Sequence, residues 1–201
     1  MALIKRPVMM VNIIIVILEL LAFIHDLYAF QAGLFRWYTI DSNLLQLFVS
    51  VLVVIYCFKG TTLPDFVTIL HFISAVGLTV TFLIAAFVLA PEGGVTYYFI
   101  QDVAPINHLI GPALSIISLL FLEKAEKLPI RIILYPTYAT LFYGLVCLVL
   151  NALRIMDGPY FFLKIYSEKA GTIILWFMII TVMCLLFSFA YFKIKWRKAA
   201  S

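Results

Sequence analysis

Six long apolar runs dominate this sequence and limit what it can fold into. They cover about residues 8–27, 38–58, 66–90, 106–122, 130–153 and 172–192. A helix needs roughly 20 predominantly apolar residues to cross the core of a bilayer, and each run comes near that length. Hydrophobic residues make up 65% of the chain and charged residues 12%, which leaves too little polar surface to coat a soluble globule. The chain is therefore predicted to be an integral membrane protein.

The runs favour helices over strands because they are long and lack the alternating pattern of a membrane barrel. Short connections leave no room for a soluble domain, so residues 1–201 are predicted to form one domain. The expected fold is all-α, a polytopic bundle of six transmembrane helices in the cell membrane. The first run contains Glu19 and no convincing small-residue cleavage site, so it is expected to remain as a helix rather than be removed as a signal peptide.

Basic residues separate the two sides of the membrane. Ten of the 14 lysines and arginines fall on one side: Lys5, Arg6, Lys59, Lys124, Lys127, Arg131, Lys193, Lys195, Arg197 and Lys198. The other side has Arg36, Arg154, Lys164 and Lys169. Cytoplasmic loops carry the excess of Lys and Arg, so both termini are predicted to be cytoplasmic. This topology accounts for the net charge of +4, and no nucleic-acid partner is expected.

The same topology places the starts of the second and fourth runs at the outer, non-cytoplasmic end, with Thr39 and His108 at matching depth. Other polar residues gather at this end: His25, Asp26, Asp41, Asn43, Gln101, Asp102, Asn151, Arg154 and Asp157. Polar side chains at membrane depth are costly unless they pair or face water, so this cluster is a functional-site hypothesis. The inner half of the bundle looks nearly featureless by contrast, and His71 is predicted to be an interface residue on the cytoplasmic side.

Thr39 and His108 have the residue types of a nucleophile and its base. A threonine hydroxyl attacks poorly until a base removes its proton, and a histidine with a pKa near neutrality is the usual base. Pro112 cannot donate a backbone hydrogen bond to the carbonyl of residue 108, so the helix is expected to loosen at His108. The structural alternative is that Thr39 bonds its hydroxyl back to a carbonyl one turn earlier, as threonines in membrane helices commonly do.

Other kinds of site find little support in the sequence. The histidines stand at 25, 71 and 108 without cysteines on the same faces, so no metal site is expected. No glycine-rich phosphate loop is present and no cofactor is expected. The three cysteines all lie within apolar runs and are odd in number, which argues against a disulfide framework.

Four segments, in order, resemble a known family. These are Trp37-Tyr38-Thr39-Ile40-Asp41-Ser42-Asn43-Leu44-Leu45, Asn107-His108-Leu109-Ile110-Gly111-Pro112, Leu134-Tyr135-Pro136-Thr137-Tyr138 and Gly158-Pro159-Tyr160-Phe161-Phe162-Leu163. They are similar to segments of bacterial relatives of the androgen-induced-gene and androgen-dependent TFPI-regulating proteins. The resemblance implies a multi-pass membrane hydrolase that cleaves fatty acid esters of hydroxy fatty acids, with Thr39 as the nucleophile and His108 as the histidine. The implied partner is a lipid or fatty-acyl ester substrate.

Three more residues are candidates to support this pair. Asn43 lies one helical turn from Thr39 and on the same face, so it is the preferred polar neighbour. Asp41 is expected to point about 200° around the helix from Thr39 at ~100° per residue. Asn107 precedes the histidine. Any of the three could orient the imidazole or donate to the oxyanion.

Two other functions remain open at this point. A non-catalytic lipid-binding protein would keep the bundle and need neither Thr39 nor His108. A small-solute or proton transporter would use His25, Asp26, Asp41 and His108 as a relay. Such a relay should continue toward the cytoplasm, and the sequence offers nothing in the inner half to continue it.

Overall fold

The computed structural model describes the backbone of residues 2–196 and the side chains of residues 6–196. Three of the basic residues used to assign the topology, Lys5, Arg197 and Lys198, lie outside the described side chains. The described residues form helices and connecting loops and contain no strand. This confirms the all-α prediction.

Six helices form the bundle, and each occupies one of the apolar runs. They are α1 (Ala2–Phe30), α2 (Tyr38–Lys59), α3 (Asp65–Ile84), α4 (Ile106–Leu122), α5 (Leu134–Ala152) and α6 (Ala170–Trp196). Shorter pieces connect them: 3-10 helices at Gln31–Arg36, Ile130–Ile133 and Phe161–Leu163, and a short α-helix at Val95–Phe99. A π-helical turn, Ala85–Leu89, extends α3 into Ala90–Gly93.

Five helical segments among the described residues are long and apolar enough to cross a membrane. They are Arg6–Arg36, Tyr38–Lys59, Asp65–Gly93, Ile130–Ala152 and Ala170–Trp196. Large apolar side chains such as Phe87, Phe121 and Phe142 point out of the bundle and are exposed, as lipid-facing residues are. The protein is therefore a multi-pass membrane protein. The sixth span stays a prediction, because α4 is shorter than the other five helices. The cytoplasmic position of the two termini also stays a prediction.

Local sequence explains where α2 begins and ends. Trp37 is extended, with φ −96° and ψ 116°, so the chain enters α2 directly after it. At the other end Gly60 takes φ 71°, the left-handed conformation that commonly ends helices and that glycine adopts without strain. Thr39 therefore lies in the first turn of α2, where backbone N–H groups lack partners within the helix.

Helix α3 lies at the centre of the bundle and contacts α2, α4, α5 and α6. Most of its residues are buried, whereas α1 and α6 expose long apolar faces. The closest neighbour of α1 is α2, and its other contacts are with α4. The start of α2, the start of α4 and the end of α1 therefore meet at one end, which we call the outer end.

Candidate functional site

The outer end encloses an open cavity of about 350 Å³, which we call the outer cavity. Thr39 and His108 both line its wall, so the structure brings the two residues of the sequence hypothesis to one space. Other polar or aromatic residues of the wall are His25, Asp26, Phe30, Trp37, Tyr97, Tyr98, Gln101, Asp102, Asn107, Tyr160 and Phe161. The cavity thus combines charged, amide and aromatic groups at the predicted membrane surface.

Thr39 lies between two cavities of different character. Besides the outer cavity, it lines a smaller apolar cavity of about 50 Å³ among residues such as Val80, Ile84 and Phe177. Its backbone carbonyl accepts a hydrogen bond from Asn43 Nδ2 at 2.8 Å. Thr39 therefore lies where a polar space meets an apolar one.

His108 is hydrogen-bonded within its own helix. Its Nδ1 lies 3.2 Å from the backbone carbonyl of Ala104, which can only accept, so this contact favours a proton on Nδ1. The ring also contacts the edges of Tyr98 and Phe99, with centroids 5.9 and 6.0 Å apart. The ring is half-buried, and an imidazole with its proton on Nδ1 is a form in which Nε2 can act as a general base.

The helix around His108 is loosened as the sequence predicted. Residues Ile106–Ile110 form a π-helical turn, and Gly111 donates its N–H to the carbonyl of Ile106, five residues back. Pro112 follows at the start of the next α-helical segment and has no N–H to give to His108. Helical distortions of this kind occur frequently at functional sites.

Two of the supporting residues tie three helices together. Asn43 Nδ2 donates to the backbone carbonyl of Asn107 at 3.0 Å, and Asn107 Nδ2 donates to Asp26 Oδ2 at 2.9 Å. His25 Nδ1 lies 3.3 Å from the other oxygen of Asp26. Asn107 lines the outer cavity, whereas the Asn43 amide is occupied by backbone carbonyls. Asn43 therefore positions the start of α2 rather than the imidazole.

Asp41 lies away from the pair. It is half-buried on the side of α2 that faces Tyr143 and Cys147 of α5, and it lines neither the outer cavity nor the apolar one. The turn of about 200° that separates Asp41 from Thr39 accounts for this position. The structure thus brings Thr39, His108 and Asn107 to one cavity and leaves Asp41 outside it.

The sequence predicted Tyr160 only as one of several aromatic residues at the rim of the lipid entry, and not as a catalytic or supporting residue. It lines both cavities beside Thr39, and its ring packs edge-on against Trp37 at 5.8 Å. Burial raises the pKa of Tyr160 to about 12, although the neighbouring Thr39 hydroxyl opposes that rise. The phenol is therefore a neutral hydrogen-bond donor at physiological pH.

The sequence contains one clue to the position of Tyr160, which is the glycine two residues earlier. A Cβ at Gly158 would collide with the backbone of Leu163, so only glycine lets this loop close on itself. The closed loop directs Tyr160 toward the first turn of α2. Loop residues placed by such a close approach have no periodic pattern by which a sequence could reveal them.

The prediction that the inner half is nearly featureless, with His71 at the interface, is wrong. His71 and Glu123 are both fully buried, and His71 Nδ1 lies 2.8 Å from Glu123 Oε1. Ser118 donates to the same oxygen at 2.7 Å, and Asn12 donates to Ser118 at 2.7 Å. Burial alone would raise the pKa of Glu123, but His71, Lys195 and Ser118 favour its charged form and lower it.

A second group of hydroxyls and an amide adjoins this pair. Ser74 and Ser115 both donate to Gln46 Oε1, at 2.5 and 2.7 Å, and His71 Nε2 lies 3.3 Å from Ser115. We call these residues, with His71, Glu123, Ser118 and Asn12, the inner network. Its members come from α1 through α4 and the residue that follows α4, so each looked like an isolated polar residue in an apolar run.

The sequence of α1 contains a further pattern of polar residues that was not used to predict the site. Asn12, Glu19 and Asp26 are seven residues apart, which places them on one face of the helix at two-turn intervals. All three are buried, with exposed fractions of 0%, 2% and 4%. The stripe leads from the inner network to the outer cavity, with Glu19 between them.

Comparisons with known proteins do not assign this chain to a family. No family model, no curated protein and no solved structure matches it. The likeness to the androgen-induced-gene proteins therefore stays a prediction from four short segments, and function has to be argued from the chemistry of the site.

Proposed function

We propose that this protein is an intramembrane hydrolase of lipid carboxylic esters, with Thr39 as the nucleophile and His108 as the base. Fatty acid esters of hydroxy fatty acids are the proposed substrate class. The observation that carries the proposal is that Thr39 and His108 line one cavity while Thr39 also lines an apolar one. An ester with a long acyl chain has the same two parts, a polar carbonyl and a hydrocarbon tail.

The reaction follows the acyl-transfer pattern of a nucleophile and a histidine. His108 Nε2 takes the hydroxyl proton as Thr39 Oγ1 attacks the ester carbonyl, which gives a tetrahedral oxyanion. Collapse of the oxyanion breaks the ester bond, and His108 returns the proton to the leaving alcohol. Water, deprotonated by His108, then hydrolyses the acyl-threonine and releases the fatty acid. Contacts between nucleophile and base are often long without substrate and tighten when it binds.

Tyr160 is proposed to stabilise the oxyanion. Its hydroxyl is neutral and lies beside Thr39, so it can donate a hydrogen bond to charge that develops on the carbonyl oxygen. A donor that is already in place and partly shielded from water acts most strongly on the transition state. Removing one such donor typically costs about 10²–10³ in kcat.

The acyl chain is proposed to leave the site toward lipid between α5 and α6. The apolar cavity at Thr39 shares Leu141 and Phe177 with an apolar groove lined by α5 and α6. Phe177 packs directly over Gly144, where a Cβ would meet its ring at 2.9 Å. The groove faces outward from the bundle, so a chain could pass from the outer leaflet to Thr39 without crossing water.

The proposed topology places this site at the outer face of the cell membrane. Helix α4 would be the sixth span, and both termini would be cytoplasmic. The support is the distribution of basic residues, since Lys59, Lys124 and Lys193 fall at the inner end and Arg36 at the outer end. Cysteine-accessibility labelling of single-cysteine variants at residues 97 and 126 in intact cells would test it, and labelling of residue 126 alone by an impermeant reagent would overturn it.

The hydrolase proposal is tested with purified protein in nanodiscs, by ester turnover and by labelling with a fluorophosphonate probe. Thr39→Ala and His108→Ala are expected to lose both, and Tyr160→Phe to lose turnover by about 10²–10³-fold. Thr68→Ala is the matched control, because Thr68 is buried in the first turn of α3, at the inner end, and lines neither cavity nor the groove. Wild-type turnover and labelling in both Thr39→Ala and His108→Ala would overturn the proposal.

A further inference from the structure

Glu19 is a fully buried carboxyl group without a partner. It lies midway along α1, its side chain is 2% exposed, and within the described part of the chain neither carboxylate oxygen has a hydrogen-bond partner. None of the ion pairs between described side chains includes it. Transferring an unpaired carboxylate from water to an apolar interior costs more free energy than the net stability of most folded proteins. The group therefore has to be neutralised, by a proton or by another bound cation.

The surroundings of Glu19 show where that cation has to lie. Asn43 uses its Nδ2 on the carbonyls of Thr39 and Asn107, which fixes the orientation of the amide. Its Oδ1 is buried and has no partner. A Cβ added at Gly111 would contact both Glu19 Oε1 and Asn43 Oδ1, so these two oxygens approach the same point on α4. Both oxygens are unpartnered acceptors, so a hydrogen between them would satisfy the two.

We propose that Glu19 is a proton-binding site that is filled from the outer cavity. A hydronium ion in the cavity gives its proton to the Glu19 carboxylate and leaves water behind. The resulting carboxylic acid donates its O–H to Asn43 Oδ1. The bound proton thus satisfies both buried oxygens and joins α1 to α2 beside Gly111.

The path from the cavity to Glu19 is short. A space of about 10 Å³ is lined by Glu19 and Asn43 together with Asp26 and Asn107, and the last two also line the outer cavity. A space of that size holds about one water molecule. Asp26 and Asn107 therefore form the boundary between Glu19 and the water of the outer cavity.

A proton fits this site better than a metal ion. The cations that prefer oxygen, Mg²⁺ and Ca²⁺, take about six or more ligands, and three oxygens are unpartnered here. The charged and titratable groups nearby are Asp26 and His25 on α1 and His108 on α4, while Asp41 of α2 faces α5. Asp26 already has Asn107 and His25 as partners, which suits a carboxylate. Glu19 has none.

Infrared spectroscopy of the protein in nanodiscs at neutral pH tests the proposal. The wild type is expected to show the carbonyl stretch of a protonated carboxylic acid, and Glu19→Gln is expected to lose it. Glu92→Gln is the matched control, because Glu92 is exposed in the outer loop and should leave the band unchanged. Absence of the band in the wild type, or its persistence in Glu19→Gln, overturns the proposal.

A second measurement needs no substitution at Glu19. Labelling all glutamates with ¹³C should shift the band, whereas labelling aspartates should not; a shift with aspartate label overturns the assignment. Disappearance of the band when sodium replaces choline would mean that the site holds sodium instead and would also overturn it.

Access from the outer cavity is tested by the rate at which D₂O shifts the band. Asn107→Leu should slow the shift, and Ser118→Ala, in the inner network, should not. The reverse order would overturn the proposed route. These readouts do not depend on ester hydrolysis.

Discussion

The outer cavity and the inner network contain the same kinds of side chain but differ in what these side chains do. Each contains histidine, a carboxylate and amides that come from several helices. In the inner network His71 and Glu123 are fully buried and lie 2.8 Å apart. At the outer end His25 is exposed, His108 is half-buried and a cavity of about 350 Å³ stands open between the helices. The two regions differ in that the inner network is closed, whereas the outer end leaves a cavity between its polar side chains.

The difference between the two regions shows how a membrane bundle separates side chains that stabilise the fold from side chains that remain available for a ligand. A buried charge is tolerated when a partner of opposite charge and further hydrogen bonds surround it, as they surround Glu123. Such a group has little capacity left for a ligand. At the outer end His108 and Thr39 both line an open cavity, and Thr39 also lines a second one, so these groups remain available for a substrate.

The largest expected effect comes from breaking the inner pair. His71→Leu removes the partner of Glu123 at 2.8 Å and leaves only Lys195 and Ser118 to support the buried carboxylate, so we expect a loss toward the lower end of about 3–5 kcal/mol in the free energy of unfolding. Denaturation in mixed micelles, followed by circular dichroism, measures it. The double variant His71→Leu/Glu123→Leu should recover much of the loss. A single variant as stable as the wild type would show that the pair is not structural.

The second-largest loss of stability is expected from a substitution at Gly111, the point on α4 that Glu19 and Asn43 approach. Gly111→Ala places a methyl group against Glu19 Oε1 and the Ile106 carbonyl, so we expect a loss of about 1–3 kcal/mol by the same measurement. Gly171→Ala is the matched control, because a Cβ there meets nothing within 4 Å. Equal stability of the two variants would mean that α1 and α4 can separate without cost.

Acidification should affect the inner network through Glu123. The pKa of this group is lowered from its ordinary value of 4.5, so its contribution to stability is complete above pH 4.5 and is lost as pH falls through the lowered value. Wild-type stability, measured against pH in that window, should therefore decline more steeply than that of Glu123→Gln. Parallel pH profiles would contradict the role given to this carboxylate.

The smallest effect is expected at the exposed histidine of the outer end. His25→Leu removes the partner of Asp26 at 3.3 Å, but the imidazole is exposed, and pairs of this kind contribute about 0–1 kcal/mol. The same denaturation assay gives the comparison with His71→Leu directly. A loss as large as that of His71→Leu would mean that the outer and inner histidines do not differ as proposed.

The sequence predicted the helices far better than the contacts between them. Hydropathy placed all six helices, and helical geometry predicted that Asp41 would point away from Thr39. Ser74, Ser115 and Gln46 could not be recognised as neighbours, because each is a single polar residue on a different helix. Only the rotation of three helices against each other brings them together.

The short length of α4 affects the bilayer around it. Residues 106–122 span about 26 Å at ~1.5 Å per residue, against a hydrocarbon core of about 30 Å. With α4 as a spanning helix, this hydrophobic mismatch has to be relieved by thinning of the adjacent lipid or by wetting of the helix ends. Either response brings the aqueous phase nearer to the depth of Glu19.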